Sequence, residues 1–201
     1  MSQRYSGYAR VADDNYQTPE WVSEILLPHL RKVRLILEPA SAGGKMARVL
    51  EQAAQVITSD ISRGTDFLSI TRTPADAIIT NPPYRLSREF VERALELTEP
   101  KRGLVAMLLR TDYDQAKTRR HLFADHPAFA GKLVLLRRIR WFEGTKGHPS
   151  YNHCWYLWDW QHRGPPTIAY SDGGSINGQQ RLSRSQERVD VACTRRCAVA
   201  S

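Results

Sequence analysis

Short apolar runs alternate with helical patterns along most of this chain, and that alternation constrains the fold more than any other feature. Arg34-Leu35-Ile36-Leu37-Glu38-Pro39, Gln55-Val56-Ile57-Thr58-Ser59-Asp60 and Asp76-Ala77-Ile78-Ile79-Thr80 each read as a strand. Gly103–Leu109 and Lys132–Leu136 read the same way, and the aromatic stretch Cys154–Trp158 reads as the last strand. Between them, Lys45–Ala54 carries Met46, Val49, Leu50 and Ala53 at helical spacing, and Leu86–Leu97 carries Phe90, Val91, Ala94 and Leu95. A further helix is expected near Gln115–Phe123. At the N-terminal side, Thr18 reads as an N-cap, Pro19 as the first helical position and Glu20 as a first-turn acid. Strands alternating with helices imply an α/β fold with a mostly parallel sheet.

At 201 residues the chain suits one domain with an appendage. Residues 1–15 are polar and read as a loose leader, 16–162 as the domain, and 163–201 as a weakly ordered basic tail rich in Gly, Ser, Arg and Gln. A hydrophobic share of 41% with five Trp supports a sizeable core. No apolar stretch approaches the roughly 20 residues of a membrane span, and Met1-Ser2-Gln3-Arg4-Tyr5 lacks a secretory core, so a cytoplasmic protein is expected. Cys154, Cys193 and Cys197 form no CxxC pair, and no metal is expected. The net charge of +8 favours a polyanionic partner. It gathers in Arg31-Lys32-Val33-Arg34, Lys117-Thr118-Arg119-Arg120, Arg137-Arg138-Ile139-Arg140 and Arg195-Arg196, each of which is also readable as a solvated face.

Two stretches carry chemistry. Ala40-Ser41-Ala42-Gly43-Gly44 follows the first strand and opens a helix, the form of a nucleotide-binding crossover, although it lacks the G-x-G-x-x-G pattern. Glu38 is a carboxylate on an otherwise apolar strand, readable as a solvated strand end or as a group that attracts an ammonium. Asp60 ends the next strand, where an acid accepts from ribose hydroxyls. Asn81-Pro82-Pro83-Tyr84 then forms a rigid turn at the tip of a buried strand. The tetrapeptide alone fits an ordinary strand-to-loop turn and a grip on a planar amine equally well.

In order, Glu38-Pro39-Ala40-Ser41-Ala42-Gly43-Gly44, Asp60, Asp66-Phe67 and Asn81-Pro82-Pro83-Tyr84 resemble the motifs of class I S-adenosylmethionine-dependent methyltransferases. More narrowly they resemble the enzymes that methylate adenine N6. Tyr16-Gln17-Thr18-Pro19 is similar to the segment that precedes the first strand in some of them, and Pro149–Trp158 to the late strand of small phage-type members. The resemblance covers about residues 15–160. It implies a three-layer Rossmann-like fold, with helices on both faces and an antiparallel late strand.

It also implies roles. Glu38 would hold the cofactor's ammonium, with Pro39, Ala40, Ala42 and Gly44 lining the loop around its methionine end. Tyr16, Thr18 and Pro19 would lie near its carboxylate. Asp60 would bind the ribose, Ile61 and Phe67 would border the adenine, and Asp66 would accept from its amino group. Phe67 reads equally well as a core residue. The family carries Gly where this chain has Ala42, and alanine disfavours positive φ.

Asn81 and the Pro82 carbonyl would accept the two hydrogens of the target amine, and Tyr84 would stack on a flipped base. Arg119, Arg120 and Arg140 would touch nucleic acid, DNA rather than RNA. Because the motif defines an amide or amine nitrogen better than it defines adenine, RNA adenine and protein glutamine remain alternatives. A nucleic-acid-binding module that no longer catalyses is an alternative of another class.

Overall fold

The computed structural model describes residues 17–141 and 151–173. Tyr16, Phe142, Cys193, Cys197, the leader and the tail beyond residue 173 lie outside the described residues. Among these, seven strands form one mixed sheet: β1 (Leu35–Glu38), β2 (Gln55–Thr58), β3 (Ala77–Thr80), β4 (Leu104–Arg110), β5 (Phe129–Leu135), β6 (His153–Asp159) and β7 (Thr167–Ser171). Their order across the sheet is β2-β1-β3-β4-β6-β5-β7. The β2, β1, β3 and β4 ladders are parallel, and β6 runs antiparallel to both β4 and β5.

Side-chain alternation builds the layers. In β3, Ile78 points into one cluster and Ala77 and Ile79 into the other. In β4, Val105, Met107 and Leu109 join the first cluster, while Leu104, Ala106 and Leu108 join the second. The first cluster also holds Phe90, Val91, Ala94 and Leu95 of α3 (Ser87–Thr98), and so α3 covers that face. The second holds Val22 and Leu26, from and just after α1 (Glu20–Glu24), with Met46 and Leu50 of α2 (Lys45–Leu50). A strand buried on both faces must be continuously apolar, which is why Leu104–Leu109 reads as an unbroken run. The three-layer α/β expectation holds.

Local expectations differ from the structure at several points. Thr18 does not cap α1: Pro19 takes that position without a side-chain bond, and Thr18 is buried. Pro28 removes a backbone donor, and the chain tightens into a 3₁₀ turn at Leu27–His29. α2 stops at Leu50 and leaves Ala53 exposed, because the chain must turn before Gln55 pairs with Leu35. The helix expected near Gln115–Phe123 is 3₁₀ (Lys117–Leu122). Ala116 is extended (ψ 128°) and interrupts the expected helix, and the Arg119 and Phe123 amides then reach back only three residues, to the Ala116 and Arg120 carbonyls.

Nor is β6 the last strand. β7 lies inside the segment 163–201 that composition marks as a tail, and pairs in parallel with β5. Ile168 and Tyr170 are 58% and 63% exposed and only the small Ala169 packs on the second cluster, so the large apolar residues of β7 face away from the core. Its backbone approaches β5 at Gly131 (φ 141°), where a Cβ would lie 2.7 Å from the Thr167 nitrogen.

Candidate active site at the strand switch point

From β1 the chain goes outward to β2 and then back across to β3, so β1 and β3 flank a reversal of strand order. In open α/β sheets the crevice beyond the carboxyl ends of such strands is where ligands bind. Glu38 ends β1, Asp60 follows β2, and Asn81 follows β3. Topology therefore brings the three motifs to one end of the sheet.

Glu38 is 2% exposed, and its Oε2 has no hydrogen-bond partner among the described residues. Burial pushes its carboxyl up to about 7, the Ala47 amide and Arg63 pull it down, and the Asp60 charge pushes it further up. An unpartnered buried carboxylate oxygen is costly unless a cation or donor meets it. Asp60 has the opposite environment. Burial raises its pKa, but the Ser62 hydroxyl and the amides of Ala42 and Ser62 outweigh this and leave it below the usual range. Its Oδ2 accepts the Ala42 amide at 2.9 Å, and its Oδ1 accepts the Ser62 amide at 2.9 Å and hydroxyl at 2.6 Å. A carboxylate has about four acceptor positions, so roughly one is left for a further donor.

The intervening loop is wound tightly. Ala42 adopts φ 43°, a left-handed conformation that L-residues other than Asn and Asp seldom take. Its carbonyl accepts Arg63 Nη2 at 3.0 Å, so both the amide and the carbonyl of Ala42 are tied to the loop after β2. Gly44 (φ 75°) precedes α2. The Gln17 side chain lies where a Cβ on Gly43 would sit, so the segment before α1 covers this loop. Nothing in the motif Tyr16-Gln17-Thr18-Pro19 singles out Gln17, and only the fold shows this contact. Pro39 is buried, while Ala40 and Pro19 are half-buried.

Ile61, beside Asp60, is 69% exposed, the kind of apolar surface a flat ring covers. Asp66 is exposed and caps the 3₁₀ turn Phe67–Ser69 by accepting the Leu68 amide at 2.9 Å. Phe67 is 2% exposed and packs on Phe90 at 4.9 Å, which is the core reading of that residue.

At the tip of β3 the Asn81 Oδ1 is buried with no hydrogen-bond partner among the described residues. Pro82 beside it is buried. The Tyr84 hydroxyl is 2.8 Å from Nε2 of His153, the first residue of β6. Burial holds the His153 ring down at about 4, with Arg110 acting in the same direction and the Tyr151 carbonyl and Asp112 opposing. His153 is therefore neutral near pH 7. Its signal in the sequence is a polar residue opening an apolar strand, and only the fold shows what it touches.

The basic residues are partly committed. Arg119 lies 4.0 Å over the Tyr113 ring and its Nε donates to the Tyr113 carbonyl at 2.7 Å, and Arg120 pairs with Asp125 at 2.9 Å. Arg140 is exposed. No cluster of metal-ligating side chains occurs among the described residues, and no described helix is long and apolar enough to cross a membrane.

No family model and no curated protein matches this chain. Solved structures do. A candidate class I S-adenosylmethionine-dependent methyltransferase of Listeria monocytogenes superposes with a TM-score of 0.55 at 13% identity, covering 92% of this chain and 72% of that one. A dimethyladenosine transferase of Plasmodium falciparum gives 0.50 at 12% identity, covering 72% of this chain and 62% of that one. At such identities the likeness concerns the fold. The mixed sheet, its late antiparallel strand and its helices on both faces form a Rossmann-like fold, similar to that of these methyltransferases.

Proposed function

We propose that the protein is an S-adenosylmethionine-dependent N-methyltransferase acting on the N6 amino group of adenine in DNA. The observation that carries this reading is the buried, unpartnered Asn81 Oδ1 at the tip of β3. An acceptor kept without a partner inside a protein is expensive to maintain and is accounted for by a ligand that donates to it. Another of the buried unpartnered atoms, Glu38 Oε2, fits the ammonium of a methionine group, and the remaining acceptor position on Asp60 fits one ribose hydroxyl. Exposed Ile61 fits the cofactor's adenine, and Asp66 is left to accept from its amino group. The loop of Ala40, Ala42 and Gly44, which Gln17 covers, would enclose the methionine end together with Thr18 and Pro19, and Tyr16, outside the described residues, is assigned there by the resemblance alone. Bound S-adenosylmethionine supplies an electrophilic methyl on a sulfonium centre.

The protein's own contribution is positioning and electrostatics. The nitrogen of an aromatic amine is a poor nucleophile because its lone pair is delocalised into the ring. Asn81 Oδ1 and the Pro82 carbonyl would each accept one N–H, drawing the nitrogen toward tetrahedral geometry and restoring a lone pair. Tyr84 would hold the base by its face, which requires a base outside the duplex stack. Arg140, with Arg119 and Arg120, would meet the phosphate backbone. The net charge of +8 supports a polyanionic substrate.

The test is incubation with methyl-labelled cofactor and DNA, RNA or protein, followed by digestion to single nucleosides and amino acids. Label on N6-methyladenine from DNA is the expected result. Label on RNA adenine or on glutamine would move the substrate assignment. No transfer to any of them would leave the inactive binding module.

A further inference from the structure

His153 opens β6 opposite Arg110, the last residue of β4, so it stands at the same end of the sheet as Asn81. It is 69 positions from Tyr84 in the chain, yet its Nε2 and the Tyr84 hydroxyl are 2.8 Å apart. The two rings lie 6.2 Å apart and tilted by 40°, so they meet through their polar atoms and do not stack on each other. Trp141 meets the His153 ring edge-on at 5.3 Å, and His153 itself is 2% exposed. Its Nδ1 is buried with no hydrogen-bond partner among the described residues, so the ring is held by packing and by the Tyr84 contact.

We propose that His153 is a positioning residue: it accepts the Tyr84 hydroxyl and thereby sets the plane on which the substrate base stacks. The inference rests on the methyl-transfer reading and deepens it. A phenol is a stronger hydrogen-bond donor than a neutral imidazole, and an imidazole nitrogen is the stronger acceptor, so Tyr84 donates to Nε2 and Nδ1 carries the ring proton. The charged groups facing His153 are Arg110, which disfavours an imidazolium, and Asp112, which favours one and is bonded to Arg110 at 2.7 Å. The neutral ring that this surrounding maintains is the form able to accept. The bond also ties the rigid turn after β3 to β6, two strands away across the sheet.

The experiment is a double-mutant cycle on steady-state methyl transfer to an adenine-containing single-stranded DNA oligonucleotide. His153→Phe keeps a buried ring and removes the acceptor, His153→Gln places an amide near Nε2, and Tyr84→Phe removes the hydroxyl. Losing one neutral hydrogen bond predicts a fall of about five- to tenfold in kcat/KM for DNA in His153→Phe, carried by KM for DNA with KM for the cofactor unchanged. His153→Gln should recover most of it, and His153→Phe should add nothing in the Tyr84→Phe background. If His153→Phe does not fold, His153→Asn, whose amide ends short of the phenol, takes its place. An equal loss in both backgrounds, or wild-type kinetics in His153→Phe, overturns the positioning role while leaving the methyltransferase standing. A wild-type protein that methylates neither DNA, RNA nor protein overturns both.

Discussion

Replacing Glu38 with Gln tests the electrostatics of the site without any ligand. Burial raises the Glu38 carboxyl from 4.5 to about 7 in the folded chain. A group whose folded-state pKa is raised contributes stability below its unfolded pKa and loses it as pH rises through the folded value. The contribution from Glu38 is therefore whole below about pH 4.5 and gone by about pH 8. A shift of about 2.5 units at 1.36 kcal/mol per unit comes to about 3 kcal/mol. Glutamine does not titrate. Glu38→Gln should thus gain on the wild type as pH rises from 4.5 to 8, by about 3 kcal/mol, or roughly 6–12 °C in melting temperature for a domain of this size.

Thermal melts of both proteins across that range measure it, and fixed effects of the substitution cancel in the pH-dependent difference. A constant difference across the range, or a wild type that gains on the variant as pH rises, would refute the argument that Glu38 is a desolvated carboxylate. The same variant should lose affinity for S-adenosylmethionine in calorimetry. Below pH 7 the wild type should release a proton on binding it, seen as a heat that depends on the buffer's ionisation enthalpy.

Three other outcomes are expected. Ala42→Gly removes the left-handed alanine at φ 43° and should raise stability by about 1 kcal/mol after allowing for glycine's freedom when unfolded, with tighter cofactor binding in calorimetry; a lower melting temperature would contradict it. Asn81→Ala deletes an acceptor that has no described partner, so it should leave the melting temperature within about 2 °C, while methyl transfer falls about a hundredfold or more. For His153 the sign is that of a depressed group. Its pKa falls from 6.5 to about 4 on folding, so its contribution is present above about pH 6.5 and lost as pH falls through 4, about 3 kcal/mol in all. Urea unfolding at pH 7 and pH 4 should show that loss in the wild type and a smaller one in His153→Phe.

The sequence was a good guide wherever periodicity and strand ends carry the information. Leu35–Glu38, Ala77–Thr80 and Leu104–Arg110 form where the apolar runs lie, because a strand buried on both faces leaves no other composition open to it. Glu38, Asp60 and Asn81 stood out as polar residues ending apolar strands, and a parallel sheet gathers such ends on one side. The short helices were less legible. Helical spacing continues through Ala53 and Phe123, but the outward turn into β2 ends the first helix and the extended Ala116 breaks the second.

By itself, then, the sequence determined the α/β alternation and the strand-end acids and amide, because both follow from local patterning and burial. Tertiary structure alone decided which of their atoms stay unpartnered. It leaves Glu38 Oε2 and Asn81 Oδ1 without a described partner while Asp60 is nearly saturated. It also set Gln17 over Gly43, drew Arg119 and Arg120 into internal pairs, added β7 through backbone pairing, and joined His153 to Tyr84. The physical reason is common to all of these. Desolvation and hydrogen bonding depend on what lies within a few ångströms in space, and residues far apart in sequence supply it.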